Sequence, residues 1–418
     1  MASYGVFVQQ AAGDFANARR YGQLAACIVA RIPHCAEIAC WVYHVRCLFI
    51  DCWSEPTPVI ATNWKQAYTW AMESGQLEGA VLMWQIWNIT SYFGGYPVDQ
   101  VLEASSSCIE QIRVLKLNCY MTGMRDVHSS LKCMSGKKAI PWEEFQNFPL
   151  PEMRIEAMDE GDRAQFLSYG SWCRLHLAIF FFRYEIAEEM CITFVKCADK
   201  DPGYLIQASR YLYEGLMAAG RYRQTGKRKY FKLLCKARST FKKMCEYRGL
   251  RNLHRALLLR AERMACAKKC STQETKQAYD DAILVASNSG HIHEAGLGCE
   301  LAGAYLISKG ESQHVREYFN KAYDYYTLWC ADAKLKHLQE TRGRYISQDK
   351  IRDFSRPATN SILQNVSRFP KSAHVKYDLI SAATPTVLNE TNSNKPSRSP
   401  KPAEKRDEVD DVSVLTET

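Results

Sequence analysis

The chain has few residues that break helices, 22 Gly and 14 Pro in 418. It has no Asn-Gly or Asp-Gly turn between alternating apolar runs, and this argues against a fold built on β-hairpins. Apolar runs are short. Leu177–Phe182 is far below the ~20 residues that a membrane helix needs. The N-terminus, MASYGVFVQQ, has no basic segment followed by an apolar one, so no secretory leader is expected. These absences predict a soluble, cytoplasmic protein.

Chemical motifs are missing too. There is no HExxH, no Cys/His set with zinc-ligand spacing, and no nucleophile on a strand-turn-helix elbow. The nearest approach to a phosphate loop is Gly220-RYRQT-Gly226-Lys227-Arg228. It has one residue too many between the glycines, lacks the Ser/Thr that would hold magnesium, and follows no strand. His291 and His293 are two residues apart and point to different sides of a helix, while His176, His254 and His337 are isolated in sequence. Glu188, Glu189, Asp199 and Asp201 read as helix-surface charges. No catalytic residue, metal or cofactor is expected, and the chain is read as a non-enzyme.

What the chain does have is aromatic and helical. It carries 23 Tyr, 16 Phe and 9 Trp within 47% hydrophobic residues. Its 17 cysteines are scattered, and those on helical stretches (Cys27, Cys35, Cys40, Cys47, Cys52) read as small core residues. Stop signals recur at Gly13-Asp14, Pro33, SEPTP, Ser74-Gly75 and Gly94-Gly95. Between them the pattern predicts helices at 35–53, 59–74, 76–93, 98–120, 162–182, 184–199, 203–224, 227–248, 250–269, 273–289, 292–308 and 312–341. Residues 121–150 break the rhythm and are read as an irregular connection with room for a short helix.

In 291–340 small residues (Ala295, Ala302, Gly303, Ala304) alternate with large ones (Leu297, Leu301, Tyr305, Leu306), as closely packed helix pairs require. The fold class that follows is all-α: a right-handed α-solenoid of antiparallel hairpins, a tetratricopeptide-like superhelix over 1–345. Residues 346–418 are expected to be mostly a disordered tail, since 381–418 has four prolines and no aromatic. Trp64, Trp70, Trp84 and Trp87 read as core or inter-repeat packing, with a concave peptide groove as the alternative.

One compositional anomaly remains. Residues 221–269 hold seventeen Lys and Arg against two acids, Glu246 and Glu262, in a chain whose whole net charge is +9. On 227–248 an apolar stripe of Tyr230, Leu234, Ala237, Phe241 and Cys245 faces away from a row of Lys229, Lys232, Lys236 and Lys243. With Arg251 and Arg255 this row is the candidate face for a protein partner, an acidic one in particular. A solvated face and a nucleic-acid or anionic membrane surface are the other readings. Aromatics for base stacking do not interleave with the lysines.

Several stretches, taken in order, resemble one family: the tetratricopeptide-like helical region between the AAA-type ATPase module and the GAF and histidine-kinase domains of large multidomain sensor proteins. The signature runs through Glu294, Ala295, Glu300, Leu301, Ala302, Gly303 and Tyr305, then Ala322, Tyr326, Trp329, Ala331, Ala333, Lys334 and Leu338. Cys330 stands where the family usually has Gly after the Trp. The segments RGLRNLHRALLLRAERMA, YDDAILVASNSGHIHEA and WKQAYTWAMESGQLEGAVLMWQIWNITSYFGG are similar to its other repeats, and the likeness spans roughly 1–342. It implies a non-catalytic scaffold of signal-transduction assemblies. The alternative it leaves open is a piece of a sensor kinase or cyclase whose catalytic domains lie outside these residues.

Overall fold

Helix boundaries follow local chemistry. The Asp14 carboxylate accepts from the Asn17 backbone N–H and starts one helix; Ser271 and Glu274 form a reciprocal capping box that starts another. Pro56 and Pro97 sit where a missing N–H costs nothing, at the entry of two more.

The computed structural model describes residues 1–146, 160–198, 204–248, 250–267 and 269–350, all of which lie in one compact unit, Met1–Pro357. Among the described residues every regular element is helical. They are α1 (Ala2–Ala12), α2 (Phe15–Val29), α3 (Ala36–Val45), α4 (Thr57–Glu73), α5 (Leu77–Phe93), α6 (Val98–Val114), α7 (Met121–Met134), α8 (Trp142–Gln146), α9 (Glu160–Phe180), α10 (Tyr184–Ala198), α11 (Tyr204–Thr225), α12 (Arg228–Arg248), α13 (Leu253–Cys266), α14 (Thr272–Asn288), α15 (Ile292–Ser308), α16 (Val315–Leu328) and α17 (Asp332–Arg342). Successive helices pack as hairpins, and α9, α11 and α13 also touch one another in order. Small residues permit this: a Cβ on Gly220 of α11 would fall 2.3 Å from the Tyr184 ring, and one on Gly296 of α15 would fall 2.7 Å from the Tyr326 ring.

The chain also meets itself across long sequence separations. Val98 N–H donates to the Trp329 carbonyl at 2.8 Å, and Phe93 stacks on Trp172 with centroids 3.7 Å apart. Gly95, at φ +82°, leaves room for His293, whose Nδ1 would lie 2.1 Å from a Cβ there. Helices α5 and α15 are accordingly buried on most sides. Trp64 and Trp87 are buried and Trp84 stacks on Trp87, so these rings pack between helices.

Four expectations need correction. Residues 121–134 form a regular helix, α7, because Met124, Val127 and Leu131 face α6 and α9; the polar look of its other face hid the period. The predicted helix 35–53 ends at Val45 and continues as one π-turn (Arg46–Ile50) and one 3-10 turn (Asp51–Trp53). The predicted helix 312–341 is two helices, broken where Cys330 adopts φ +55°. Finally, the array does not stop at 345: Ile346 is buried, Asn320 bonds Ser347, and Lys350 pairs with Asp324. The remainder of the expected tail, and Asp199 and Asp201, lie outside the described residues.

A left-handed conformation costs a residue with a Cβ about 1–2 kcal/mol, partly returned by the greater chain entropy of glycine when unfolded. Cys330→Gly is therefore expected to stabilise the fold by about 1 kcal/mol in urea melts.

Candidate interaction surface

The basic segment falls into two populations once each cation is followed to its partner. The first population is paired within the chain. Arg221 of α11 donates to Glu188 of α10 at 2.7 Å and also reaches Glu185; Tyr230 of α12 donates to the same Glu188 at 2.7 Å. Arg223 donates to Glu262 of α13 at 2.7 Å, and Tyr279 of α14 bonds the other oxygen at 2.5 Å. Arg255 of α13 forms a fork on Glu294 of α15, at 2.7 and 2.9 Å. Arg251, in the turn that precedes α13, donates to the Cys52 carbonyl and to Thr57 Oγ1, which ties that turn to the start of α4.

The resemblance residues obey the same rule. Glu300 of α15 lies 2.8 Å from Lys334 Nζ of α17 and accepts from Tyr326 of α16 at 2.9 Å. Lys334 is fully buried and lies over the Phe182 ring. Burial pulls its ammonium below the usual value, against the pull of Glu300. Leu301, Ala302, Tyr305, Ala322, Tyr326 and Trp329 are all buried, Tyr305 beside Tyr279 of α14 and Trp329 beside His176 and Phe180 of α9. The signature residues named here make their contacts within the chain.

Arg255 therefore does not belong to the exposed face predicted for it. It is 3% exposed, because a guanidinium on the inner side of α13 meets Glu294 there. Arg251 is half-buried and committed to Cys52 and Thr57, so it leaves the face too. Glu188, read as a free surface charge, is the shared acceptor of Arg221 and Tyr230. Glu262 was the legible signal, an acid on the same stripe as buried Leu258 and Leu259.

The second population is external. Lys232, Lys236 and Lys243 of α12 are exposed, and among the described residues no carboxylate lies within ion-pair distance of any of them. Lys229, at the start of the row, is half-spent, 4.0 Å from Glu188. The apolar stripe opposite (Tyr230, Leu234, Ala237, Phe241) is buried, which holds the row outward. Gly220 and Gly226 form no phosphate loop: Gly220 packs on Tyr184 and Gly226 ends α11 at φ +67°.

Four histidines that are distant or isolated in sequence meet in the interior. His254 and His291 stack with centroids 4.2 Å apart; His293 lies 6.3 Å from His291 and 6.4 Å from His176. His176 Nδ1 is 2.5 Å from the Tyr213 hydroxyl, and His254 Nε2 is 2.8 Å from Glu294. Burial lowers the pKa of all four, His293 to about 4. Burial pushes the Glu294 carboxyl up, but Arg255 and His254 hold it well below the usual range. Glu294 is therefore the anion of this cluster, and the imidazoles are neutral near pH 7. Among the described residues no group of three or more His, Cys, Asp or Glu side chains is placed to hold a metal, and no helix is long and apolar enough to cross a membrane.

The sign of the pH dependence follows. Between the ordinary histidine value of 6.5 and about 4, the unfolded chain binds protons that folded His293 does not, so stability rises with pH through that window and is lost as pH falls. Lowering the pH from 7.5 to 5 should cost roughly 2 kcal/mol through His293 alone. Equilibrium urea melts at the two pH values check this, and His293→Phe should flatten the dependence.

Comparison with family models, with curated proteins and with solved structures returned no significant match.

Proposed function

We propose that the chain is a non-catalytic interaction scaffold, a right-handed superhelical array of helical hairpins that docks an acidic protein segment along Lys232, Lys236 and Lys243. The observation that carries this reading is the contrast within one segment. Four of its nine arginines (Arg221, Arg223, Arg251 and Arg255) are matched to a carboxylate or carbonyl of another helix or turn, whereas these three lysines are held outward with none among the described residues. Contacts of α9 with α11 and of α11 with α13 favour the superhelical arrangement, since inner helices of stacked hairpins touch in sequence. The packed interior around His176, Phe93, Trp172 and Trp329 favours an outer docking face over a concave groove.

A protein partner fits better than nucleic acid. Tyr230 and Phe241 of α12 are buried, and half-buried Phe231 packs on Tyr222 with ring centroids 5.3 Å apart, so α12 offers bases little stacking surface. By the resemblance, such a scaffold would serve a signal-transduction assembly.

The test is a Lys232→Glu/Lys236→Glu/Lys243→Glu variant, titrated with a fluorescent polyglutamate peptide and a single-stranded oligonucleotide of equal charge. The expected result is binding of the peptide by the natural chain, salt-sensitive, and weakened by about tenfold or more in the variant. Equal binding by both proteins would remove the lysine row from the contact. Preference for the oligonucleotide would favour the nucleic-acid reading.

A further inference from the structure

Three arginines of the basic segment belong to neither population. Arg238 of α12 and Arg260 and Arg263 of α13 are all half-buried. Gly215 of α11 seats Leu259 and Ala237 together, 2.6 Å and 3.3 Å from where its Cβ would be. This contact joins α12 to α13 through Ala237 and Leu259, the chain neighbours of Arg238 and Arg260, and Arg263 follows almost one turn further along α13. Burial, and then the charges of Arg263 and Arg260, hold the Arg238 guanidinium below its ordinary pKa. Like charges therefore crowd each other at this place in a partly dry setting.

The crowding has no internal remedy. Among the described residues no carboxylate comes within ion-pair distance of the three, and Arg263 Nε is buried without a hydrogen-bond partner. A cleft of about 360 Å³ opens beside Arg260 alone of the three, and each of its two acids accepts from a neighbour in its own segment. Glu274 accepts from Ser271 in the capping box, and Asp281 accepts from Gln277. The neighbouring arginines of the segment make the comparison: Arg221, Arg223 and Arg255 each have a carboxylate within 2.7 Å. A half-buried guanidinium cluster left unneutralised is unfavourable unless an anion completes it.

We propose that Arg238, Arg260 and Arg263 form a binding site for a phosphate group. Three guanidiniums offer forked donors around a tetrahedral dianion, more charge and more donors than one carboxylate would use. The site is separate from the lysine row: Arg238 and Lys236 are two residues apart in α12, about 160° around the helix. It therefore stands or falls independently of the docking surface proposed above.

The experiment measures thermal unfolding of the full chain in sodium phosphate, and in N-acetyl-O-phosphoserine amide, against sodium chloride of matched ionic strength. The expected result is a saturable rise in Tm with phosphate that chloride does not give. A rise with the phosphoserine amide as well identifies a phosphorylated residue as an accepted source; a rise with inorganic phosphate alone identifies the free ion. Arg263→Gln and Arg238→Gln are each expected to raise Tm without phosphate, by relieving the crowding, and to shift half-saturation by about tenfold or more. No response beyond chloride, or equal responses in natural and variant proteins, would overturn the site. So would a fall in phosphate-free Tm in both variants, since the guanidiniums would then be satisfied where they stand.

Discussion

Carboxylates that take a cation from one helix and a tyrosine from another, Glu262 and Glu300 fully buried and Glu188 half-buried, organise this chain. Glu188 joins Arg221 and Tyr230, Glu262 joins Arg223 and Tyr279, and Glu300 joins Lys334 and Tyr326. Glu294 differs: it takes Arg255 at 2.7 Å and lies 2.8 Å from His254, both on α13. Apolar seams between helices are non-directional and tolerate sliding by a turn. A carboxylate with two fixed partners does not, because a slip would strand an uncompensated charge in the interior. Net stability gains little from such pairs. What they fix is register, from α10 through α17.

This arrangement explains why the basic segment lies where it does. Helices α11 and α13 supply cations to carboxylates on neighbouring hairpins, so much of the positive charge is a structural requirement of the stack. Among the described residues the outward row of α12 and the arginines Arg238, Arg260 and Arg263 exceed that requirement, as do exposed Lys227 and Arg228. The row and the three arginines, on separate flanks, are where the chain's electrostatics point away from itself. The interior, by contrast, is closed: His176, His254, His291 and His293 are neutral and packed, and Glu294 is fully engaged.

The helical class, most helix positions and the hairpin order were legible in the sequence, since period and stop signals are local. Three kinds of feature were not. The polar face of α7 masked its period, although Met124, Val127 and Leu131 carry it. The break at Cys330 needs a left-handed residue where no glycine announces one. Long-range partners of the cations also escaped notice: Arg251 bonds the Cys52 carbonyl, 199 residues away, and Glu294 draws Arg255 inward from a helix that otherwise reads as a charged surface. Glu262, an acid on an apolar stripe, was the one written sign that cations of this segment turn inward.

The central claim, that buried carboxylate pairs set the register of the stack, is tested most directly by a double-mutant cycle on Glu300 and Lys334 followed by urea denaturation. Lys334→Met keeps the apolar stem against Phe182 and leaves Glu300 uncompensated, so the account predicts a loss of about 3–5 kcal/mol. Adding Glu300→Gln, which can still accept from Tyr326, should return most of that loss. A Lys334→Met chain as stable as the natural one, with no coupling to Glu300, would contradict it.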